Sequence, residues 1–227
     1  MSRYLALVPA AGSGSRFGGP SPKQYLQLNN RPLMWHTLQV LCQVEAISQV
    51  VVVISPGDEW FDDFEWDLPK LSVLRVGGAS RAESVRNGLQ AMEATAQDWV
   101  LVHDAARCCL SVAAVERLIA TLTDDPVGGL LALPVPDTVK RADAEGRISA
   151  TVPRQGLWLA QTPQMFRAGL LAEALAAANV ADITDEASAV EQYGHKPRLV
   201  EGDAQNFKVT YPRDLALARA ILAARKD

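Results

Sequence analysis

Tyr4-Leu5-Ala6-Leu7-Val8 runs directly into Pro9-Ala10-Ala11-Gly12-Ser13-Gly14-Ser15-Arg16-Phe17-Gly18-Gly19, and Ser21-Pro22-Lys23-Gln24-Tyr25 follows. The apolar run has the composition of a strand. The glycine-rich segment has that of a turn whose backbone N–H groups can face an anion with no Cβ atoms in the way. Arg16 adds a forked cation and Lys23 a point charge. The first acidic residue of the chain is Glu45, so no local carboxylate neutralises the pair. A strand that ends in such a turn predicts an α/β protein with a polyphosphate site at the strand's C-terminal end.

Two familiar phosphate loops are excluded by spacing. A Walker A loop ends in Gly-Lys-Ser/Thr, whereas Gly18 is followed by Gly19 and Pro20, and Lys23 arrives later. A dinucleotide fingerprint needs Gly-x-Gly-x-x-Gly with an acidic residue about 20 positions on. Phe17 stands at the third glycine position, and no carboxylate lies in range.

Outward from this loop, apolar runs alternate with helical patterns. Residues 32–41 carry apolar side chains at three- and four-residue spacing, with Pro32 suited to a first helical turn. Val50-Val51-Val52-Val53-Ile54 reads as a strand buried on both faces. A strand over 71–76 leads through Gly77-Gly78 into a helix over 81–92. Trp99-Val100-Leu101-Val102 forms a strand ending at His103-Asp104. A helix over 112–122 and a strand over 129–135 continue the alternation. Leu157-Trp158-Leu159-Ala160 is strand-like, and 166–178 is helical. Thr184 is placed to cap the next helix. Arg198-Leu199-Val200 is a short strand, and 214–222 forms the last amphipathic helix. The fold class is therefore α/β, with a mainly parallel twisted sheet flanked by helices. Ligands of such sheets bind beyond the C-terminal strand ends. The Gly12 loop, Gly77-Gly78 and Asp104 all follow strands and can share one edge.

The stretch 137–152 is different. It has β-compatible flanks around a polar Asp143-to-Gly146 turn and few large apolar residues, which predicts a protruding two-stranded arm. An isolated hairpin is marginal, so a partner surface covering it, in a homodimer, competes with a solvated hairpin.

At 227 residues the chain fits a single domain, 1–227, with the arm as an excursion from it. With 48% hydrophobic and 21% charged residues and a net charge of −4, a broad basic surface for nucleic acid is excluded. No run of eighteen apolar residues exists for a membrane span. The apolar N-terminal run is too short for a signal peptide. Cys42, Cys108 and Cys109, an odd number with an adjacent pair, fit reduced, packed thiols. Together these features predict a cytoplasmic protein.

His103-Asp104-Ala105-Ala106-Arg107 puts a carboxylate and a guanidinium just past a buried strand. Asp104 suits Mg²⁺, which often takes one or two protein carboxylates and fills its other positions with phosphate oxygens and water. A helix cap or an ion pair with Arg107 is the plainer alternative. The three histidines, His36, His103 and His195, are too scattered for a histidine metal site. Lys208, in Asn206-Phe207-Lys208-Val209-Thr210, is unremarkable alone.

Pro9-Ala10-Ala11-Gly12-x-Gly14-x-Arg16, Pro22-Lys23-Gln24-Tyr25, His103-Asp104-Ala105-Ala106-Arg107, Thr184-Asp185-Glu186-Ala187-Ser188 and Asn206-Phe207-Lys208-Val209-Thr210 occur in that order. As a set they resemble the 2-C-methyl-D-erythritol 4-phosphate cytidylyltransferases of the non-mevalonate isoprenoid pathway, across essentially the whole chain. The resemblance implies a Rossmann-like nucleotidyltransferase fold, a homodimer and a Mg²⁺-dependent transfer of a cytidylyl group from CTP to the methylerythritol phosphate. By motif position, Arg16, Lys23 and Lys208 correspond to catalytic cations and Asp104 to the metal ligand. Ala10, Ala11, Gly12, Gly14, Gly78 and Ser84 match positions around the nucleotide. Arg107, Thr138, Arg154 and Thr184 match positions for the polyol phosphate, with Thr138 and Arg154 reaching the neighbouring subunit's site. Ala79 and Cys108 depart from the family pattern. Two alternatives remain: a cytidylyltransferase for another polyol phosphate such as ribitol 5-phosphate, and a nucleotide-binding regulator without turnover. A glycosyltransferase is disfavoured because its Asp-x-Asp metal motif is missing.

Overall fold

The computed structural model describes residues 2–12, 17, 21–179 and 182–225. Strand β1 (Tyr4–Pro9) leads, past the glycine-rich segment, to a small hairpin of β2 (Gln27–Leu28) and β3 (Arg31–Pro32). Asn29 and Asn30, at φ 51° and 64°, form its turn, a conformation asparagine tolerates better than most residues. Helix α1 (Leu33–Gln43) begins immediately after Pro32, which closes β3 instead of opening the helix. Then come β4 (Ile47–Val53), β5 (Leu71–Leu74), α2 (Arg81–Ala91), β6 (Trp99–Val102), α3 (Val112–Leu122) and β7 (Gly128–Pro134). After the arm strands β8 (Val139–Ala142) and β9 (Ile148–Val152) follow β10 (Trp158–Arg167), α4 (Ala168–Ala177), α5 (Glu186–Gln192), β11 (Arg198–Glu201) and α6 (Asp214–Ala224).

Among the described residues, seven strands form one sheet in the order β11-β7-β10-β6-β1-β4-β5. All neighbours are parallel except β10, which runs antiparallel to both β6 and β7. The period-2 alternation of a strand divides its side chains between two cores. Ala6, Val8, Val50 and Val52 face one core, completed by Met34, Leu38 and Leu41 of α1 and Val115, Leu118 and Leu122 of α3. Leu5, Leu7, Val51 and Val53 face the other, completed by Val85 and Leu89 of α2, Leu171 and Leu175 of α4, and Val190 of α5. The uninterrupted valines of β4 are the sequence signature of this double burial.

From β1 the chain passes to β4 and β5 on one side, then returns to β6 on the other. This switch leaves a crevice beyond the C-terminal ends of β1 and β6, the usual ligand position in such sheets.

Three local expectations are corrected. The segment read as helix from Phe166 is strand up to Arg167, and α4 starts at Ala168. The strand read at 157–160 extends to Arg167 across an irregularity between Ala160 and Gln164, where Pro163 sits in a cis peptide. A proline argues against a central strand unless the ladder is interrupted there, and here it is. Asp185, not Thr184, caps α5: its side chain accepts from Ser188 N at 2.9 Å, and Ser188 Oγ accepts from Asp185 N at 3.2 Å. That reciprocal pair satisfies two donors at the helix start.

Among the described residues the arm strands pair only with each other, as a separate two-stranded antiparallel sheet. Asp143 Oδ1 closes its turn by accepting from the backbone N of Glu145 and Arg147. All three cysteines are unpaired and buried. Among the described residues no helix is long and apolar enough to cross a membrane.

Gly77 is a point of close approach near the crevice. Its N–H donates to Ile54 O at 2.8 Å, and a Cβ there would overlap the Ala11 side chain and stand 2.8 Å from Ile54 O. Gly77→Ala is therefore expected to lower stability by about 1–3 kcal/mol through overpacking. A urea midpoint unchanged from wild type would contradict this close approach.

Candidate active site

The crevice holds a cavity of ≈ 570 Å³. Ala10, Ala11 and Gly12 bring the backbone after β1 to it, and Gly78 and Ser84 bring the start of α2. Asp104 arrives from the end of β6, and Lys23 and Lys208 from segments far apart in sequence. Gly14 and Arg16, also expected here, lie outside the described residues.

The wall is held by side-chain hydrogen bonds to the backbone. Gln24, buried, donates through Nε2 to Ala10 O at 2.7 Å and Gly12 O at 3.0 Å, which ties the residues after β1 to the Lys23 turn. Ser84 Oγ accepts from Gly78 N at 3.1 Å and donates to Ser80 O at 2.9 Å. Lys23 Nζ donates to Val209 O at 2.8 Å, so the segment bearing Lys208 is pinned by the other lysine.

Asp104 is the electrostatic centre. Its Oδ1 lies 2.9 Å from Arg81 Nε, and its Oδ2 lies 3.0 Å from Lys208 Nζ and 3.3 Å from Arg107 Nε. Burial alone would push this carboxyl up. Arg81, Lys208 and Arg107 outweigh burial and hold it well below the usual carboxylate range, so it is ionised at neutral pH. Arg81 in turn donates NH1 and NH2 to the two oxygens of Glu186, at 2.6 and 3.0 Å. Arg107 NH1 donates to Asn206 O at 2.8 Å. One carboxylate thus sits among three cations contributed by α2, the loop after β6 and the segment before α6.

His103 belongs to the scaffold. It is fully buried, its Nε2 faces Arg107 O at 3.4 Å, and its Nδ1 lies 2.9 Å from Thr162 Oγ1. A carbonyl can only accept, so the proton is on Nε2 and Nδ1 accepts from the Thr162 hydroxyl. Thr162 Oγ1 also accepts from Asp104 N at 3.1 Å. Asn206 Nδ2 completes the lattice by donating to Thr162 O at 2.8 Å. Thr162 of β10 therefore holds the loop that carries Asp104.

Among the described residues no three His, Cys, Asp or Glu side chains come together as a metal cage. The donor set still fits magnesium. A single ionised carboxylate beside a cavity large enough for a triphosphate matches a cation that takes its remaining oxygens from phosphates and water.

The other expected residues are placed unevenly. Arg107 joins the Asp104 cluster. Thr184 is exposed just before α5, and its backbone N–H donates to Ser188 Oγ at 3.0 Å. Thr138 and Arg154 are exposed and do not line the Asp104 cavity. Arg154 instead borders a second depression of ≈ 450 Å³ with Pro136, Leu157 and Trp158 at the base of the arm. Sequence reasoning missed Arg81, Glu186, Thr162 and Gln24. Arg81 follows Gly77-Gly78-Ala79-Ser80, and Glu186 and Gln24 stand inside motifs already singled out, so position was the available signal. Thr162 had none.

The model of the 2-C-methyl-D-erythritol 4-phosphate cytidylyltransferase family matches residues 4–224. The chain is 77% identical over 223 residues to a protein of that name from Chromobacterium violaceum, covering 98% of this chain and 99% of that one. It is 62% identical to one from Laribacter hongkongensis, covering 98% and 97%. The crystal structure of the Francisella tularensis enzyme of the same name superposes with a TM-score of 0.84 at 34% identity, over 97% of this chain and 100% of that one.

Burial holds His103 down at about 4, from an ordinary 6.5. Between those values the unfolded chain binds a proton that the folded chain does not, so stability falls as pH drops through this window. The full loss is about 3 kcal/mol. Urea unfolding at pH 7 and pH 4.5 should show a larger loss for wild type than for His103→Gln. Equal losses would contradict a buried neutral imidazole.

Proposed function

The chain belongs to the 2-C-methyl-D-erythritol 4-phosphate cytidylyltransferase family, and from that premise we infer how its cavity transfers the cytidylyl group of CTP to 2-C-methyl-D-erythritol 4-phosphate. The nucleophile is a phosphate monoester oxygen, largely dianionic near neutral pH because its second pKa lies near 6. It needs little help from a general base, and no titratable group of the site is required to act as one. The new bond joins this oxygen to the α-phosphorus of CTP, the α–β bridging bond breaks, and pyrophosphate leaves with the electron pair.

Two polyanions must meet, so the chain's task is alignment and preorganised positive charge. The backbone of Ala10, Ala11 and Gly12 faces the phosphates, Gly14 belongs to the same nucleotide site by its motif position, and Gly78 and Ser84 border the nucleoside. Arg16, Lys23 and Lys208 stabilise the charge that gathers on the α-phosphoryl oxygens and the leaving group. Asp104 would hold Mg²⁺, which supplies charge neutralisation on the triphosphate when bound. Arg107 and Thr184 orient the polyol phosphate from the same chain.

Thr138 and Arg154 serve the site of a second subunit in a homodimer. Their distance from this chain's own cavity, and the exposure of Ile148, Trp158 and Leu159 along and beside the arm, support that arrangement. The protein works as a cytoplasmic enzyme on this reading. The observation that carries it is the convergence of Lys23, Lys208 and Asp104 on one cavity at the sheet's switch point.

Pyrophosphate release, measured with CTP, UTP, ATP and GTP against the methylerythritol phosphate and ribitol 5-phosphate, tests the reading. CTP with the methylerythritol phosphate should be by far the fastest pair, and a preference for ribitol 5-phosphate would overturn the acceptor. Lys23→Ala and Lys208→Ala should each lower kcat by about 10²–10³, the scale of losing one preorganised donor. Turnover near wild type at saturating substrates would remove those lysines from the mechanism. Mixed dimers of Arg154→Ala with Lys23→Ala subunits should recover some activity. Absence of recovery in verified mixed dimers would put each site within one chain.

A further inference from the structure

Glu186 is buried in the first turn of α5, with 1% of its side chain exposed, and no step described above uses it. Both of its oxygens are taken by Arg81, through NH1 at 2.6 Å and NH2 at 3.0 Å. The same guanidinium reaches Asp104 Oδ1 with Nε at 2.9 Å. A guanidinium binds a carboxylate best through two parallel N–H bonds. Arg81 stands between two carboxylates, and Glu186 has the fork.

The consequence falls on Asp104. A carboxylate offers about four lone-pair sites. Three cationic nitrogens already occupy this one: Arg81 Nε, Arg107 Nε and Lys208 Nζ. A divalent cation needs at least one oxygen lone pair of Asp104. If the Arg81 fork turned onto Asp104, that opening would be lost and the carboxylate's charge would be further neutralised.

We propose that Glu186 is a positioning residue that keeps Asp104 open to the divalent cation by withholding the Arg81 fork from it. This rests on the assignment of Asp104 as the cation's protein ligand. Glu186 lies 105 positions from Arg81 in the chain, so bringing the first turn of α5 to the first turn of α2 is itself what prepares the cation site. In Glu186→Gln an amide accepts through one oxygen only, which frees part of the fork to close on Asp104.

The test is CTP binding, followed by titration calorimetry with Mg²⁺ and with EDTA, so that turnover plays no part. The readout is the factor by which Mg²⁺ tightens CTP. In Glu186→Gln that factor should fall by ~10–100-fold, the usual cost of losing a partner of a metal ligand, with much less change in EDTA. In Arg81→Gln/Glu186→Gln the competitor for Asp104 is gone, and most of the factor should return. That rescue separates this role from a merely structural one, which a second substitution would worsen. An unchanged factor in Glu186→Gln, or a double variant no better than the single, overturns the proposal while leaving Asp104 as the cation's ligand. No Mg²⁺ effect in wild type overturns both. Should Glu186→Gln fail to fold by circular dichroism, Arg81→Lys decides. A point charge has no fork to misdirect, so the factor should stay near wild type, and a loss of tenfold or more would overturn the proposal.

Discussion

The ionised carboxylate of Asp104, held at the end of a fully buried strand, is the constraint around which the site is built. A charge in that position is tolerated only if it is paired and hydrogen-bonded. The pairing draws on Arg81 from α2, Arg107 from the loop after β6 and Lys208 from the segment before α6. Two of these partners have an anchor of their own: Glu186 for Arg81, and Asn206 O for Arg107. Removing Asp104 would leave Arg107 and Lys208 without their carboxylate in a poorly solvated place. Four separate stretches of chain, the loop after β6, α2, α5 and the segment before α6, are thereby forced to one edge of the sheet.

The same arrangement gives the site a definite electrostatic state. Lys208 rests on Asp104, and Lys23 rests on Val209 O, one residue further along the same segment. Both lysines are thus held at the cavity by protein acceptors, and only an exchange of acceptor separates each from a triphosphate oxygen. Preorganisation of this kind is what makes fixed positive charge effective against developing negative charge. Because the two lysines share the 206–210 segment, movement of either one is felt by the other.

The sequence made much of this legible, for physical reasons. Continuous valine in β4 and alternating Leu5 and Leu7 with Ala6 and Val8 in β1 specify a sheet buried on both faces. Glycines and a carboxylate just after strands specify an edge that can hold phosphate. What was hidden depends on long-range pairing. The antiparallel insertion of β10 is masked by Pro163, which local rules count against a strand and which is accommodated only because the β7–β10 ladder breaks beside it. The cap of α5 moved from Thr184 to Asp185 because either side chain can cap, and Ser188 completes the reciprocal box only with Asp185. The Arg81–Glu186 pair spans 105 positions and leaves no local trace. The glycine-rich segment around Gly14 and Arg16, the strongest signal in the sequence, lies outside the described residues.

The measurement that bears most directly on the central claim is a crystal structure of the protein with CTP and Mg²⁺. The triphosphate should lie against the backbone of Ala10 to Gly12 and beside Lys23, with Lys208 Nζ moved from Asp104 onto a phosphate oxygen. A triphosphate bound away from these groups, with the Lys208–Asp104 contact intact, would contradict the account.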